Sequence, residues 1–285
     1  MKATSHADTD FKVLEFYKTL PFNRHSSVNE QIKAILKNNP VTSYPVLPPL
    51  LTPNTKVLEV GCGTGWLSNS ISHYYHSKVT GIDFNPKAIE FCQQVGKEMC
   101  LATEFNVADL FMYQPKSQFD LVVSLGVLHH THDCLAAIKR ICADFVAPGG
   151  YIFIGLYHHY GRKPFLDHFK IMQAQGASED ELLARYRELH SYITDETHVR
   201  SWFRDQVLHP HETQHTMKEM LPLLKEAGFT LKTTSINNFQ PINSAATAEA
   251  ILSKEVEMEK TGLDRLKANQ YYPGFFLFLA QKNPA

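Results

Sequence analysis

An α/β architecture, a doubly wound and mostly parallel seven-stranded sheet carrying helical additions, is the fold class this chain predicts. Three observations carry it. Between residues 56 and 156, short apolar runs alternate with amphipathic helical stretches, the rhythm of parallel strands joined by crossover helices. The first run ends in Gly61-Cys62-Gly63-Thr64-Gly65, directly ahead of a helical pattern. Helical stretches precede the alternation and interrupt it after residue 163.

Residues 10–38 read as helical with a break near Pro21, and 40–53, with five prolines, as an extended linker. Strands follow at 56–60, 78–82, 102–107, 119–124 and 151–156. The helices between them fall at 66–75, at 86–99 with Pro86 in the first turn, and at 134–145. Pro148-Gly149-Gly150 reads as a turn before the fifth strand. Residues 163–209 hold two or three helices; 216–227 is a helix closed by Gly228. Strands at 229–235 and 275–280 flank a helix at 247–260, and the last strand is expected to run antiparallel. The division that results is 1–53 as a helical lid and linker and 54–285 as the sheet domain, with a helical insertion at 163–213 and a second at 236–271.

The glycine loop stands where a parallel sheet presents its carboxyl edge to a ligand. Glycines let the backbone turn sharply and approach a ligand closely. A dinucleotide fingerprint has the spacing G-x-G-x-x-G. Here the third glycine, Gly65, comes one residue early and Trp66 follows it. That spacing favours S-adenosylmethionine (SAM), which has no phosphate, over NAD. A tight strand–helix turn with no ligand is the plain alternative for the glycines taken alone.

Composition narrows the partners. Among 285 residues, 28 Lys and Arg balance 29 Asp and Glu, a formal net charge of −1. A broad nucleic-acid surface needs a basic excess, so no nucleic-acid substrate is expected. The apolar runs 151–157 and 275–280 are far shorter than the roughly 20 residues of a membrane span, so no membrane partner is expected either. The five cysteines form no Cys-x-x-Cys pair and residues 1–10 lack an apolar signal core, which places the chain in the cytoplasm.

The ordered motifs over 56–156 resemble those of the class I, Rossmann-like SAM-dependent methyltransferases. The resemblance implies roles residue by residue. Glu59, just before Gly61, Gly63 and Gly65, would hold the methionine end of SAM. Asp83, ending the second strand, would bind the ribose hydroxyls, with Phe84 packed on the adenine. Asp109, in Asn106-Val107-Ala108-Asp109-Leu110, would accept from the adenine amino group, between Ala108 and Leu110. Phe119-Asp120-Leu121-Val122-Val123-Ser124 resembles the family's fourth-strand motif, with Asp120 structural. Leu125-Gly126-Val127-Leu128-His129-His130-Thr131 resembles a branch with small-molecule acceptors, and Leu125 joins the cofactor-binding set.

Methyl transfer is an in-line displacement that rests chiefly on alignment, and a base is needed only when the acceptor loses a proton. Candidates lie at the carboxyl edge. His130 follows the fourth strand, with His129 beside it, and either is as readily a packing or capping residue. Tyr157 and His158 follow the fifth strand. Tyr17, near Pro21-Phe22-Asn23 in the N-terminal lid, would face the sulfonium through its ring, or simply pack; Tyr44 has the same standing. His209, His211 and His215 are spaced like metal ligands, but Pro210 breaks the run, no metal is assigned, and a pocket wall is the preferred reading. The expected function is methylation of a small-molecule acceptor. A SAM lyase or cyclase releasing methylthioadenosine on the same fold, and a non-catalytic SAM-binding scaffold, are the alternatives. The cap helices serve equally as a homodimer interface.

Overall fold

The computed structural model describes residues 6–19 and 25–284; Pro21, Phe22 and Asn23 lie outside them. Helices α1 (His6–Thr19) and α2 (Val28–Lys37) come first. The alternation then runs β1 (Lys56–Val60), α3 (Trp66–Tyr75), β2 (Lys78–Asp83), α4 (Pro86–Glu98), β3 (Glu104–Val107), β4 (Phe119–Leu125), α5 (Cys134–Arg140) and β5 (Val146–Tyr157). Three consecutive helices follow, α6 (His159–Ala174), α7 (Glu179–Leu189) and α8 (Glu196–Val207). The chain closes with α9 (Met217–Glu226), β6 (Phe229–Thr234), α10 (Ala245–Lys267) and β7 (Phe275–Lys282).

The strands form one seven-stranded sheet in the order β3-β2-β1-β4-β5-β7-β6. β1 to β5 pair in parallel, while β7 runs antiparallel between β5 and β6. The order reverses between β1 and β4, so a crevice opens at the carboxyl ends there, where doubly wound sheets take their ligands.

Alternation along the strands divides the core. On β4, Leu121 and Val123 face one layer with Val57, Val79, Phe153, Leu67 and Ile71. Val122 faces the other with Leu58, Ile82, Ile138, Phe145, Ile152 and Phe278. Each such side chain, removed from water, contributes about 1.5–3 kcal/mol. The cap has a core of its own in Phe165, Phe169, Leu182, Tyr186 and Phe203.

Four segments differ from the sequence-based expectation. Residues 40–53 are not extended: Pro40–Ser43 and Pro48–Leu50 form tight helical turns, the first capped by the Asn39 side chain. They fold back because Val41 and Leu47 are wholly buried against the sheet. Pro148-Gly149-Gly150 is a bulge within β5 rather than a turn before it; Val146 already pairs with Phe119, and Gly149 takes φ +74°. The α5 helix widens into a looser turn over Ile141–Phe145, which buries Ile141, Cys142 and Phe145 together. Helix α10 begins at its Ser244 cap and extends to Lys267, with Glu255 buried midway.

Candidate active site

The loop after β1 is bound to the end of β2 through the main chain. Gly61 and Cys62 both donate to the Ile82 carbonyl, at 2.8 and 3.0 Å. Gly63 then donates to Asp83 Oδ2 at 2.9 Å, and the Asn85 amide donates to Oδ1 at 2.8 Å. Gly61 and Gly65 both lie at φ +73°, where a side chain is strained. A Cβ at Gly61 would also run into Val127, and one at Gly65 into Cys92. Burial pushes the Asp83 pKa up, against the backbone amides of Asn85, Gly63 and Phe84.

Glu59 sits behind the loop, buried, and accepts from Ser68 Oγ. Burial pushes its carboxyl up to about 7, although the Ser68 hydrogen bond favours ionisation. Tyr44 lies close by; burial first, then the Glu59 charge, push its phenol up to about 12. From α2, Gln31 Nε2 donates to the Thr64 carbonyl at 2.7 Å and holds the loop from above.

The remaining residues of the sequence-based set are spread around this edge. Phe84 is half-buried beside Asp83. Ala108 donates its amide to the Asp83 carbonyl at 2.9 Å. Asp109 is exposed at the rim, with Oδ1 closing a turn onto the Phe111 amide. Leu110 is buried, and Leu125 is partly buried against the core at the end of β4.

Helix α1 covers the crevice. Its Tyr17 carbonyl accepts from Asn85 Nδ2 at 3.1 Å, Asp10 pairs with His132 Nδ1 at 2.6 Å, and Phe16 lies under the Arg204 guanidinium at 4.7 Å. The Tyr17 hydroxyl donates to Asp205 Oδ1 on α8. Burial, then the Asp205 charge, raise its pKa well above the ordinary tyrosine value. Tyr17 therefore stays a protonated donor.

Beneath Tyr17 lies a cluster of rings. His130 is 3.7 Å from His209 and 4.3 Å from His129, centre to centre; His129 lies 4.3 Å from Tyr157. Each imidazole is anchored through Nδ1. His129 accepts from the Tyr157 amide at 3.3 Å, His130 donates to the His211 carbonyl at 2.8 Å, and His209 accepts from the His211 amide at 3.1 Å. Their Nε2 atoms are all buried and have no protein partner; His130 Nε2 lies 3.8 Å from Asp205 Oδ1. Burial lowers the pKa of His129 and His209 far below the ordinary histidine value, so both rings are neutral.

Arg162 floors the cluster. Its guanidinium lies 3.9 Å over the Tyr157 ring and 4.5 Å over Phe165, and it bonds both Glu212 carboxylate oxygens at 3.1 and 3.0 Å. Burial opposes its charge, but Tyr157 and Glu212 outweigh that and hold its pKa above the ordinary value.

The structure thus brings Tyr17, His130 and Tyr157 together, but not His158. That ring is fully buried, and both of its nitrogens are occupied. Nδ1 caps α6 by accepting from the Gly161 amide, and Nε2 meets Glu255 at 3.2 Å. Position after a strand suggested chemistry for His158; its partners make it a framework residue. His211 and His215 are likewise tied down, to the Thr131 carbonyl and to Glu219. Asp205, Arg162 and Glu212 escaped the sequence reading. Asp205 has no motif around it, and only the packing of α8 against α1 and His130 reveals it.

A reversed-order sheet with an antiparallel seventh strand, a glycine loop bonded to an acidic residue ending β2, and a helical cap together define the class I, Rossmann-like methyltransferase fold. Residues 57–150 match the family model described as a methyltransferase domain. The chain is 29% identical over 157 residues to a ubiquinone biosynthesis O-methyltransferase of Ralstonia nicotianae, covering 54% of this chain and 65% of that one. It is 35% identical over 119 residues to the protein of that name from Xanthomonas campestris pv. campestris, covering 41% and 48%. The similarity therefore spans about half to two thirds of those relatives. Among solved structures, magnesium protoporphyrin IX methyltransferase from Synechocystis with bound SAM superposes at a TM-score of 0.52 with 15% identity, covering 99% of this chain and 100% of that one. The cyclase SpnF superposes at 0.54 with 13% identity, covering 96% of both chains. A fold shared with a cyclase does not carry the reaction with it.

Proposed function

We propose that the protein transfers a methyl group from SAM to a small-molecule acceptor held under the α1–α8 cap. The observation that carries this reading is the Gly63–Asp83 hydrogen bond at the β1–β2 edge, inside the segment that matches the methyltransferase-domain model. It fixes a carboxylate beside a glycine backbone that a ligand can approach closely. The Asp83 carboxylate is held by backbone amides and retains lone-pair capacity for a ribose hydroxyl. Glu59 would face the amino end of SAM, and Asp109 at the rim the adenine.

SAM, when bound, supplies an electrophilic methyl on a positively charged sulfur. The protein's part is to align and to exclude water, which supplies about 7–11 kcal/mol in well-oriented reactions. Tyr17, hydrogen-bonded at once to the β2–α4 turn and to α8, closes the crevice over both compartments. His130 is the base. Its Nδ1–H is committed to the His211 carbonyl, so the neutral ring presents a lone pair at Nε2. An acceptor hydroxyl would give its proton to Nε2 as its oxygen is methylated, with the chain holding the hydroxyl in line. His130 Nε2 lies 3.8 Å from Asp205 Oδ1. Tyr157, kept protonated by burial, shapes the wall.

The formal charge of −1 and the depth of His130 favour a small acceptor over a nucleic acid, and five cysteines without a Cys-x-x-Cys pair favour a reducing, cytoplasmic setting. Among the described residues no helix is long and apolar enough to cross a membrane. Incubation with SAM, with and without a small-molecule extract, tests the reading by mass spectrometry. S-adenosylhomocysteine formed only with extract is expected. Methylthioadenosine formed without extract would replace the transferase with a lyase.

A further inference from the structure

The three neighbouring imidazoles have alternating tautomers. His129 and His209 each accept a backbone amide at Nδ1. A neutral ring that accepts at one nitrogen carries its hydrogen on the other, so both present Nε2–H. His130 donates at Nδ1 and presents a lone pair. The row His129–His130–His209 therefore reads donor, acceptor, donor. All three Nε2 atoms are buried without a protein partner. An unmade buried hydrogen bond costs about 1–3 kcal/mol, and three side by side form an unfilled binding pattern.

We infer, resting on the transferase reading, that the acceptor is a hydroxyl compound with a carbonyl or carboxylate oxygen adjacent to the hydroxyl. The hydroxyl donates to His130 Nε2. The adjacent oxygen accepts from His209 or His129, or from both where the hydroxyl is flanked on each side. A carbonyl or carboxylate oxygen suits this place better than a second hydroxyl, which would bring a further hydrogen needing an acceptor. Charge does not select here. Arg162 is neutralised by Glu212, and Asp205 is bonded by Tyr17. The discrimination lies in the direction of hydrogen bonds, so an anionic and a neutral oxygen are both recognised.

Calorimetric titration of the full chain, saturated with S-adenosylhomocysteine, tests this with four probes: salicylate and 2-hydroxyacetophenone against their para isomers, 4-hydroxybenzoate and 4-hydroxyacetophenone. Each ortho isomer should bind about tenfold more tightly than its para partner. In His209→Phe, which keeps a ring in the stack but removes the donor, the ratio should fall to about twofold or less. S-adenosylhomocysteine affinity in the same cell serves as the control for folding. Equal affinity of ortho and para isomers overturns the inference, as does failure of all four probes to bind while S-adenosylhomocysteine binds normally. A preference confined to salicylate would replace hydrogen-bond direction with charge as the selecting force and overturns it too. A wild-type chain that does not bind S-adenosylhomocysteine at all would fail earlier, at the proposed function.

Discussion

At the carboxyl edge of β1 and β2 the polar anchors are main-chain amides. Gly61, Cys62, Gly63 and Asn85 reach the Ile82 carbonyl and the Asp83 carboxylate within a span of 25 residues. Under the cap the anchors are side chains, and they come from far apart. Tyr17, His130, Arg162, Asp205 and Glu212 belong to five different segments, and the Tyr17–Asp205 bond alone joins residues 188 apart. The first arrangement is set by local backbone geometry. The second exists only once the tertiary fold has formed, and it leaves buried polar atoms without protein partners. Under the proposed function, the orphaned imidazole nitrogens under the cap face the acceptor.

Four experiments would break or sharpen this contrast. The largest effect is expected from Arg162→Met, which removes the cation from the largely buried Glu212 carboxylate and leaves it only Gln214. Urea denaturation should show a loss of about 3–5 kcal/mol, and Arg162→Met/Glu212→Gln should recover much of it. No loss would mean that the cap does not depend on its side-chain anchors.

Next is Glu59. Its pKa, about 7 in the folded chain against 4.5 ordinarily, means that the native state holds the proton more tightly than the unfolded one. Stability of the unliganded protein is then highest below pH 4.5 as far as this group is concerned. It should fall between about pH 4.5 and 7, by about 3 kcal/mol at 1.36 kcal/mol per unit. Glu59→Gln should flatten that slope while weakening SAM binding. Parallel urea midpoints for the two proteins across this range check it; identical slopes would remove Glu59 from the account.

Asp83→Ala should weaken SAM binding about tenfold, or about 1.4 kcal/mol, by calorimetry. Unchanged affinity would move the ribose elsewhere. The smallest effect is expected from Tyr17→Phe, which deletes one bond between α1 and α8. Hydrogen exchange in α1 should rise about fivefold, for roughly 1 kcal/mol, with the sheet unaffected.

Legibility in the sequence follows the same divide. The glycine loop, Asp83 and the strand order could be read because contiguous residues set them. Pro86 and Gly228 also punctuate helices where their backbone preferences dictate. His158 misled because proximity to a strand end says nothing of partners, and its partner Glu255 is 97 residues away. Asp205 was invisible for the same reason: an acidic residue in a helix looks solvated until α1 and His130 are seen to cover it. The prolines of 40–53 point to an extended linker, but Val41 and Leu47 bury completely and fold it back onto the sheet.

The bond from the Gly63 amide to Asp83 has an evolutionary consequence. A backbone amide survives every substitution except proline, so this bond is lost only through Asp83 itself or through a side chain at a positive-φ glycine of the loop. The imidazole row has no such protection, since one codon change at position 129, 130 or 209 rewrites the donor–acceptor order. Under the proposed function, acceptor selection is therefore open to single substitutions that leave the Gly63–Asp83 bond intact.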